Sequence, residues 1–294
     1  MNQVLIVQKR TKFELDQIIY PDQEFYKKIT QIQNNSYDRI YNSHIRQLES
    51  REILRKIFPK GKFIFRDELD KLNLQDFDLV IALGGDNHFT YVAHYTKGTK
   101  ILGCNSDTKT SLGALLAFDP NSLEQVVKDD FKETKIEEWS LISARIEYPN
   151  GGYLETVSSV NEVSVRNASP DLTSRYIICK DDEREEQKSS GLLLYTGAGS
   201  TGWLTACLGN TKSSLGEFPK NANEFRVFTR ELSRKARKNY KLTNFVALDS
   251  ISIISEMNGG ISIDCLPERI YPFPPGAIAT FYLSPQKLRV VVKK

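Results

Sequence analysis

The feature that most constrains the fold is the segment Asp78–Leu83 (DLVIAL), which is apolar after its first position and runs into two glycines. An apolar run without polar alternation is typical of a parallel strand that is covered on both faces. Similar runs at Val4–Val7 and Lys100–Cys104 predict two more strands. Helical spacing of apolar residues indicates helices within 13–58 and over 88–96. This alternation predicts a doubly wound α/β sheet of mostly parallel strands in the N-terminal part of the chain.

A region rich in β-strands is predicted after a helix near Ser122–Phe131. Its segments are rich in Ile, Val, Tyr and Thr and are separated by turn residues. The predicted strands lie at 136–148, 153–166, 175–180, 191–196, 252–255, 261–265, 277–283 and 288–292. Within this region Asp181–Ser190 (DDEREEQKSS) is a run of charges, and we interpret most of it as a solvated hairpin loop.

Length and charge limit the classes of function. A chain of 294 residues is long enough for about two domains. Lys and Arg number 40 against 37 Asp and Glu, so the net charge of +3 does not indicate a nucleic-acid or membrane surface. No apolar stretch is long enough to cross a bilayer. From this and from the balanced charge, we expect neither nucleic acid nor a membrane as a partner.

Cysteine and histidine usage indicates neither a metal site nor a disulfide framework. The four cysteines lie far apart without a C-x-x-C pair, and none of the three histidines has carboxylates at a metal-ligand spacing. The N-terminal MNQVLIVQKR lacks the longer apolar region and cleavage site of an export signal. A reducing, cytoplasmic location is therefore the expectation.

The strongest local signal is IALGGDNHF at 81–89, where a predicted buried strand ends in Gly84, Gly85 and Asp86. Open α/β sheets bind ligands at the carboxyl ends of their strands. Glycines let the backbone approach a phosphate, and the following helix offers its positive N-terminal end. A carboxylate here can orient a hydroxyl, accept its proton or hold a metal ion, as in phosphoryl transfer. The alternative is a simple connection in which Asp86 only caps the helix.

The second signal is YTGAGSTGW at 195–203, which also follows an apolar strand and precedes a predicted helix. Its small residues supply a chain that a flat nucleotide can approach, with hydroxyls for ribose or phosphate and an indole as an apolar wall. These residues are Gly197, Gly199, Ser200, Thr201, Gly202 and Trp203. The alternative is a tight turn with Trp203 in the core.

The third signal is the polar pair Asn161 and Glu162, which lies between valines. Alternation along a strand either places one of the two on the exposed face or holds both for hydrogen bonding. Taken alone, the pair also fits a solvated strand edge.

Together the three motifs resemble the NAD kinase family, whose pattern is a GGDG loop, an NE pair and a TGSTAY-like segment in this order. The resemblance covers nearly the whole chain and is closest to the mitochondrial-type branch. The segments similar to that branch are QVLIVQKRTKFE at 3–14, LGCNSDTKTSLG at 102–113, QKSSGLLLYTGAGSTGW at 187–203 and GAIATFYLSPQKLRVVV at 276–292.

The resemblance implies phosphoryl transfer from ATP, or from polyphosphate in some members, to the 2′-hydroxyl of the adenosine ribose of NAD, with Mg²⁺, to give NADP. By position, Asp86 matches the carboxylate that contacts and activates the acceptor hydroxyl, and Asn161 and Glu162 match the pair that holds the dinucleotide. The other residues that we assign to nucleotide binding are Gly84, Gly85, Asn87, Asn105, Gly199, Ser200, Thr201, Gly202, Trp203 and Arg230. Arg230 precedes Glu231 and resembles an RE pair of the mitochondrial-type branch.

The resemblance also implies an α/β N-terminal domain and a β-rich C-terminal domain. We predict a nucleotide-binding domain at 1–118, a dinucleotide-binding domain at 119–270 and a segment at 271–294 that returns to the N-terminal domain. The active site is expected in the cleft between the two domains. A homodimer is expected because family members are usually dimers or tetramers.

Four positions depart from the family pattern. Asn87 replaces the last glycine of GGDG and adds a side chain near the donor, although asparagine tolerates left-handed backbone better than most residues. Trp203 replaces the tyrosine of TGSTAY, and Ala114 replaces the aromatic residue of an LGFL segment, so one wall of the NAD pocket is expected to differ. Ser190 replaces the acidic residue of a DG pair, as in the mitochondrial-type branch.

Two other functions stay open at this point. Lipid kinases of the diacylglycerol and sphingosine type share the GGD loop but need an apolar pocket for acyl chains. A catalytically inactive NAD(P)-binding sensor would keep the pocket and lose phosphoryl transfer through Asn87. The basic stretch 226–241 is compatible with polyphosphate binding and equally with a solvated helix face.

Overall fold

The structure, a computed structural model, describes residues 3–33, 36–209, 215–233 and 240–294. The chain divides into two compact units, the first comprising residues 1–137 and 289–294 and the second residues 138–288. We predicted domain boundaries at 118/119 and 270/271. This division does not test them, and they remain predictions. No helix among the described residues is long and apolar enough to cross a membrane.

The first unit is built on a six-stranded sheet with helices, which confirms the α/β expectation. Its strands are β1 (Val4–Gln8), β2 (Lys62–Phe65), β3 (Leu79–Gly84), β4 (Ile101–Asn105), β5 (Thr134–Trp139) and the C-terminal β18 (Leu288–Lys293). The order across the sheet is β2-β1-β3-β4-β18-β5, and β1, β2, β3, β4 and β18 pair in parallel. All six residues of β3 are buried, as its unbroken apolar run predicts.

Within the described part of the first unit, five α-helices accompany this sheet. They are α1 (Lys12–Ile19), α2 (Gln23–Ile32), α3 (Tyr37–Ile57), α4 (Asp86–Ala93) and α5 (Pro120–Lys128). The chain folds this way locally because hydrogen-bonding side chains begin four of them: Thr11, Asp22, Ser36 and Asp119 each accept from backbone N–H groups of the first turn.

The sheet order fixes where a ligand site can form in the first unit. β1 lies between β2 and β3, so the chain order reverses at β1, and ligands of open α/β sheets bind outside the carboxyl ends of strands at such a point. Gly84 ends β3 and pairs with Asn105 at the end of β4. The residues that follow these two strands therefore share one edge of the sheet.

The second unit consists of two six-stranded sheets, which confirms the β-rich region. One has the order β10-β9-β14-β17-β6-β7 and the other β13-β12-β11-β8-β15-β16. The strands are β6 (Ile142–Glu147), β7 (Tyr153–Glu155), β8 (Glu162–Asn167), β9 (Ser174–Lys180), β10 (Glu183–Ser189), β11 (Gly191–Tyr195), β12 (Phe225–Arg230), β13 (Asn244–Ala247), β14 (Ile251–Ser255), β15 (Gly259–Ile263), β16 (Ile270–Phe273) and β17 (Ile278–Leu283).

A single apolar core joins the two sheets of the second unit. It contains Val163 and Leu194 from one sheet and Tyr176, Ile253 and Phe281 from the other, all buried. The opposite face of β11 packs its Leu193 and Tyr195 against a separate cluster that includes α6 (Trp203–Leu208). Strand β11 is therefore covered on both faces, which explains its unbroken apolar sequence.

The structure differs from the sequence analysis at two places in this region. Most of Asp181–Ser190 is the edge strand β10, which pairs antiparallel with β9, because Gln187 and Ser189 are buried while the intervening charges point to solvent. The helix face proposed for 226–241 does not form over Phe225–Arg230, which is strand β12. Residues 234–239 of that stretch lie outside the described residues.

Candidate active site

The carboxylate of Asp86 is held by a backbone loop of its own unit. Asp86 is the first residue of α4, and its two oxygens accept hydrogen bonds from Leu115 N (2.8 Å) and Ala114 N (3.1 Å). Ala114 is the position where the family pattern has an aromatic residue, and its backbone rather than its side chain makes this contact. The partly exposed carboxylate is thus fixed in orientation at the carboxyl edge of β3.

Asn105 organises the segment that leads to this loop. Its side-chain amide donates to Ser111 O (3.1 Å), and its oxygen accepts from Asp107 N (3.1 Å). Arg46 Nε donates in turn to Asp107 Oδ1 (2.7 Å). Burial raises the pKa of Asp107, but hydrogen bonding led by Arg46 outweighs burial and lowers this pKa to about 2. Asn105 therefore acts in this structure as a support of the loop that contacts Asp86.

Two other residues of the GGDN sequence, Gly84 and Asn87, have different surroundings. Gly84 lies inside β3, and a Cβ atom there would lie 2.7 Å from the ring of His88, so close packing already requires a glycine. Asn87 lies in the first turn of α4 with its side chain exposed, and its backbone is right-handed helical. The left-handed backbone that we considered for Asn87 does not occur, so this position needs no glycine for its conformation.

In the second unit, the Asn161–Glu162 pair and the 195–203 segment form one hydrogen-bonded unit. Strands β8 and β11 place Glu162 opposite Tyr195. Just beyond this pair, Thr196 N donates to Asn161 O (2.9 Å), and Thr196 Oγ1 donates to Val160 O (2.6 Å). A Cβ atom at Gly199 would lie 2.0 Å from Asn161 O, so this glycine allows the two segments to touch.

Glu162 is buried, with 5% of its surface exposed, and among the residues that the structure describes its Oε2 has no hydrogen-bond partner. Burial and, second, the negative charge of Asp264 raise the pKa of Glu162 to about 8. A Cβ atom at Gly202 would lie 3.4 Å from Oε2, so this oxygen faces the glycine-rich segment. Glu162 is thus protonated at neutral pH and has hydrogen-bonding capacity left for a ligand.

The hydroxyls of the segment are used within its own turn. Ser200 is buried and donates to Gly197 O (2.7 Å), and Thr201 donates to Ala198 O (3.1 Å). Each hydroxyl oxygen keeps lone pairs that can accept from a ligand, while its proton stabilises the turn. These residues therefore shape the loop in addition to the ligand contacts that we predicted for them.

Trp203 and Arg230 lie together. Trp203 begins α6 and packs with the cluster of Leu193 and Tyr195. The guanidinium carbon of Arg230 lies 4.6 Å from the centre of the Trp203 ring. The Arg230 Nη1 atom is buried and has no hydrogen-bond partner within the described part of the chain. The indole is therefore partly a core residue and partly a platform for a cation.

The sequence-predicted site residues thus form two groups, and their roles in binding and catalysis stay predictions. The first unit holds Gly84, Gly85, Asp86, Asn87 and Asn105 at the carboxyl edge of its sheet. The second unit holds Asn161, Glu162, Gly199, Ser200, Thr201, Gly202, Trp203 and Arg230 around β8, β11 and β12. In the described residues no three His, Cys, Asp or Glu side chains cluster as a metal site.

Sequence reasoning missed two residues beside Glu162. Asp264 is buried and contacts the backbone of residues 160–162, and the Cys265 thiol lies 3.6 Å from Glu162 Oε1. The available signal was a carboxylate that directly follows the apolar strand β15. Nothing in the sequence indicated which of the distant segments it would meet.

The relatives of this chain by sequence are NAD kinases. Rat NAD kinase 2, mitochondrial, is 25% identical over 252 residues, covering 69% of this chain and 59% of the rat protein. The human protein of the same name is also 25% identical, and NAD kinase from Prosthecochloris aestuarii is 28% identical over 137 residues, 46% of each chain. The chain spans less than two thirds of the length of these relatives. No protein-family model matches it.

Solved structures show the same fold. The NAD kinase from Archaeoglobus fulgidus in complex with ATP matches with a TM-score of 0.62 and 17% identity, covering 99% of this chain and 93% of that one. Yeast NADH kinase complexed with NADH matches with a TM-score of 0.69 and 12% identity, covering 99% of this chain and 84% of that one. The similarity of this chain to the NAD kinase family is thus confirmed in sequence and in fold, with mitochondrial-type NAD kinases among its relatives.

Proposed function

We propose that the protein is an NAD kinase that transfers a phosphoryl group from ATP or polyphosphate to the 2′-hydroxyl of the adenosine ribose of NAD, giving NADP. The observation that carries this proposal is the single hydrogen-bonded unit formed by the Asn161–Glu162 pair and the 195–203 segment. Two motifs that are 33 residues apart and weak when taken singly meet through Thr196 and Gly199. Their meeting favours a built dinucleotide site over two unrelated turns.

Asp86 is the residue that we assign to the acceptor hydroxyl. Each of its oxygens accepts one backbone N–H bond and, having further lone pairs, can accept another from a ligand. A carboxylate fixed in this way can orient the hydroxyl and accept its proton late in the reaction. Phosphoryl transfer depends mainly on positioning and on electrostatic stabilisation, so a fixed orientation matters more than a strong base.

The second unit supplies the groups that we assign to the dinucleotide. Protonated Glu162 can donate a hydrogen bond as well as accept one, which suits the ribose hydroxyls or the adenine edge. Arg230, with its buried and unpartnered Nη1, suits an anionic group of the ligand. The Trp203 ring lies 4.6 Å from the Arg230 guanidinium carbon and supports it by a cation–π contact.

The proposal includes Mg²⁺, which would bind together with the phosphates of the donor. Mg²⁺ at phosphoryl-transfer sites is held by one or two carboxylates together with substrate phosphates, so a dedicated protein cage is not required. Asp86 fits this arrangement as one such carboxylate, because it directly follows Gly84 and Gly85 and begins α4 at the carboxyl end of β3. The ion, once bound, would neutralise charge on the transferring phosphoryl group.

We also propose that the protein is a homodimer and that it is located in the cytoplasm.

The experiment that tests the proposed function is a substrate panel. Purified protein with Mg²⁺ is incubated with NAD or NADH and with ATP or polyphosphate, and the phosphorylated dinucleotide is measured by chromatography. A sphingoid base and diacylglycerol are offered as acceptors in parallel. NADP or NADPH formation supports the proposal. Phosphorylation of the lipid alone, or tight NAD binding without turnover with either donor, contradicts it.

A further inference from the structure

The turn after β15 places a carboxylate under the backbone that carries Asn161 and Glu162. Asp264 Oδ1 accepts from Ser159 Oγ (2.6 Å), Asn161 N (2.8 Å) and Glu162 N (3.0 Å). Its Oδ2 accepts from Val160 N (2.8 Å), and its own backbone N–H donates to Glu162 O (2.9 Å). One side chain therefore satisfies the donors of four consecutive residues.

This carboxylate has little capacity left to contact a ligand. Asp264 is 7% exposed, and its oxygens already accept four hydrogen bonds. A buried carboxylate with several N–H and O–H donors holds those donors firmly, because each bond to a charged group is stronger than a neutral one. The segment 159–162 is thus fixed from below by a residue more than a hundred positions away.

The backbone around this carboxylate is unusual. Asp264 and Cys265 both adopt the left-handed conformation, with φ of 51° and 55°. Two consecutive non-glycine residues in this region are unfavourable and persist only where surrounding contacts require them. Here the left-handed turn points the Asp264 carboxylate at residues 159–162 and brings the Cys265 thiol to Glu162 Oε1.

We propose that Asp264 is a positioning residue for dinucleotide binding, which holds the backbone of residues 159–162 so that Asn161 and Glu162 present their side chains to the ligand. The inference rests on the proposed function of the Asn161–Glu162 pair. It assigns to Asp264 no contact with the dinucleotide and no part in the transfer of the phosphoryl group.

Asp264 also sets the electrostatic environment of Glu162. The titratable groups that face Glu162 are Asp264 and Cys265 from this turn and Cys207 from α6. After burial, the charge of Asp264 is the largest cause that raises the pKa of Glu162. Removing that charge lowers the pKa of Glu162, and a purely structural substitution elsewhere would not.

The first test is amide hydrogen exchange of the ligand-free protein, comparing the wild type with Asp264→Asn. Asparagine keeps one acceptor oxygen and turns an N–H₂ group toward backbone donors, so exchange of the amides of residues 160–162 should accelerate about tenfold or more. Asp119→Asn is the matched control, because Asp119 also accepts backbone N–H bonds but caps α5 in the first unit. Unchanged exchange at residues 160–162 in Asp264→Asn overturns the inference.

The second test is NAD binding by calorimetry at several pH values. Asp264→Asn should raise the Kd for NAD about tenfold, leave kcat at saturating NAD within about threefold, and move the midpoint of the pH dependence of binding to lower pH. If Asp264→Asn does not fold, Ser159→Ala removes a single bond and should shift exchange and Kd in the same direction. A wild-type Kd with an unmoved pH midpoint overturns this inference alone. A wild-type protein that binds no NAD overturns the proposed function and this inference with it.

Discussion

The guanidinium of Arg230 stacks over the indole of Trp203, with 4.6 Å between the guanidinium carbon and the ring centre. The Nη1 atom of this arginine is buried, and no described residue hydrogen-bonds to it. Arg226 on the same strand, by contrast, pairs with Glu224 at 2.8 Å and lies over the Phe218 ring at 4.0 Å. A buried guanidinium nitrogen that lacks an acceptor is costly unless a ligand supplies one. The stacked pair is therefore the part of the second unit that most directly suits a phosphate-bearing ligand.

Replacing Arg230 with methionine should raise the KM for NAD about tenfold, because a charge-assisted bond to the dinucleotide is lost. Arg230→Lys should recover little of this loss, since lysine has neither the planar stack nor the fork of donors. Arg226→Met is the matched control and should leave the KM for NAD unchanged. Steady-state assays of the three variants decide the matter, and equal effects of Arg226→Met and Arg230→Met would contradict a role specific to Arg230.

Replacing Asp86 with asparagine should lower kcat for NADP formation by about 10²- to 10⁴-fold, the usual range for loss of a general base. The fold should persist, because the asparagine oxygen can still accept from Leu115 N or Ala114 N. Thermal melting of the variant checks that point, and Asp119→Asn again serves as a carboxylate-to-amide control outside the site. Full activity in folded Asp86→Asn would show that this carboxylate does not handle the hydroxyl.

Replacing Gly199 with alanine should destabilise the second unit by about 1–3 kcal/mol, since the new Cβ would lie 2.0 Å from Asn161 O and the two segments would have to separate. The matched control is Gly216→Ala, where a Cβ would meet no atom of the described residues within 4 Å. Chemical denaturation of both variants measures the difference. Equal unfolding free energies would mean that the contact between Asn161 and Gly199 relaxes without cost.

The stability of the protein should depend on pH through Glu162, whose pKa burial and the Asp264 charge raise to about 8 from an ordinary 4.5. The folded state holds this proton more tightly than the unfolded state. Its contribution to the unfolding free energy is therefore complete below about pH 4.5 and is lost as the pH rises through about 8. The side chain in Glu162→Gln stays neutral, so the free energy of unfolding of this variant does not change through this group in the same pH range.

The melting temperatures of wild type and Glu162→Gln should consequently diverge between about pH 5 and pH 8. As the pH rises, the melting temperature of the variant should increase relative to that of the wild type. The limiting slope for one such group is about 1.4 kcal/mol per pH unit. Parallel melting curves over this pH range would mean that Glu162 ionises near its ordinary pKa.

Replacing Asn87 with glycine restores the GGDG pattern and tests the departure most relevant to donor use. Because Asn87 has helical backbone and an exposed side chain, the substitution should change kcat by less than about threefold and lower stability by up to about 1 kcal/mol. Kinetics with ATP and with polyphosphate measure both donors. A gain in activity of tenfold or more would show that the asparagine side chain obstructs the donor.

Much of the fold followed from patterns that lie within single segments. The unbroken apolar runs of β1, β3 and β4 predict parallel strands buried on both faces, and the structure has them in one sheet. The edge strand β10 was not predicted because its exposed face is fully charged. The high charge of the segment indicated a loop, although Gln187 and Ser189 alternate with exposed residues as in a strand. Strands β12, β13 and β16 were also missed, and in the structure they pair antiparallel with β11, β12 and β15.

Local periodicity and backbone freedom are properties of short segments, so the two kinds of layer and the positions of the glycine-rich and acidic motifs could be predicted from the sequence. Three contacts became visible only in the folded chain: the backbone of Ala114 and Leu115 binds Asp86, Asn161 touches Gly199, and Asp264 accepts a hydrogen bond from Glu162 N. These contacts join residues that are far apart in the chain. Their distances depend on strand register and packing, which no segment encodes alone.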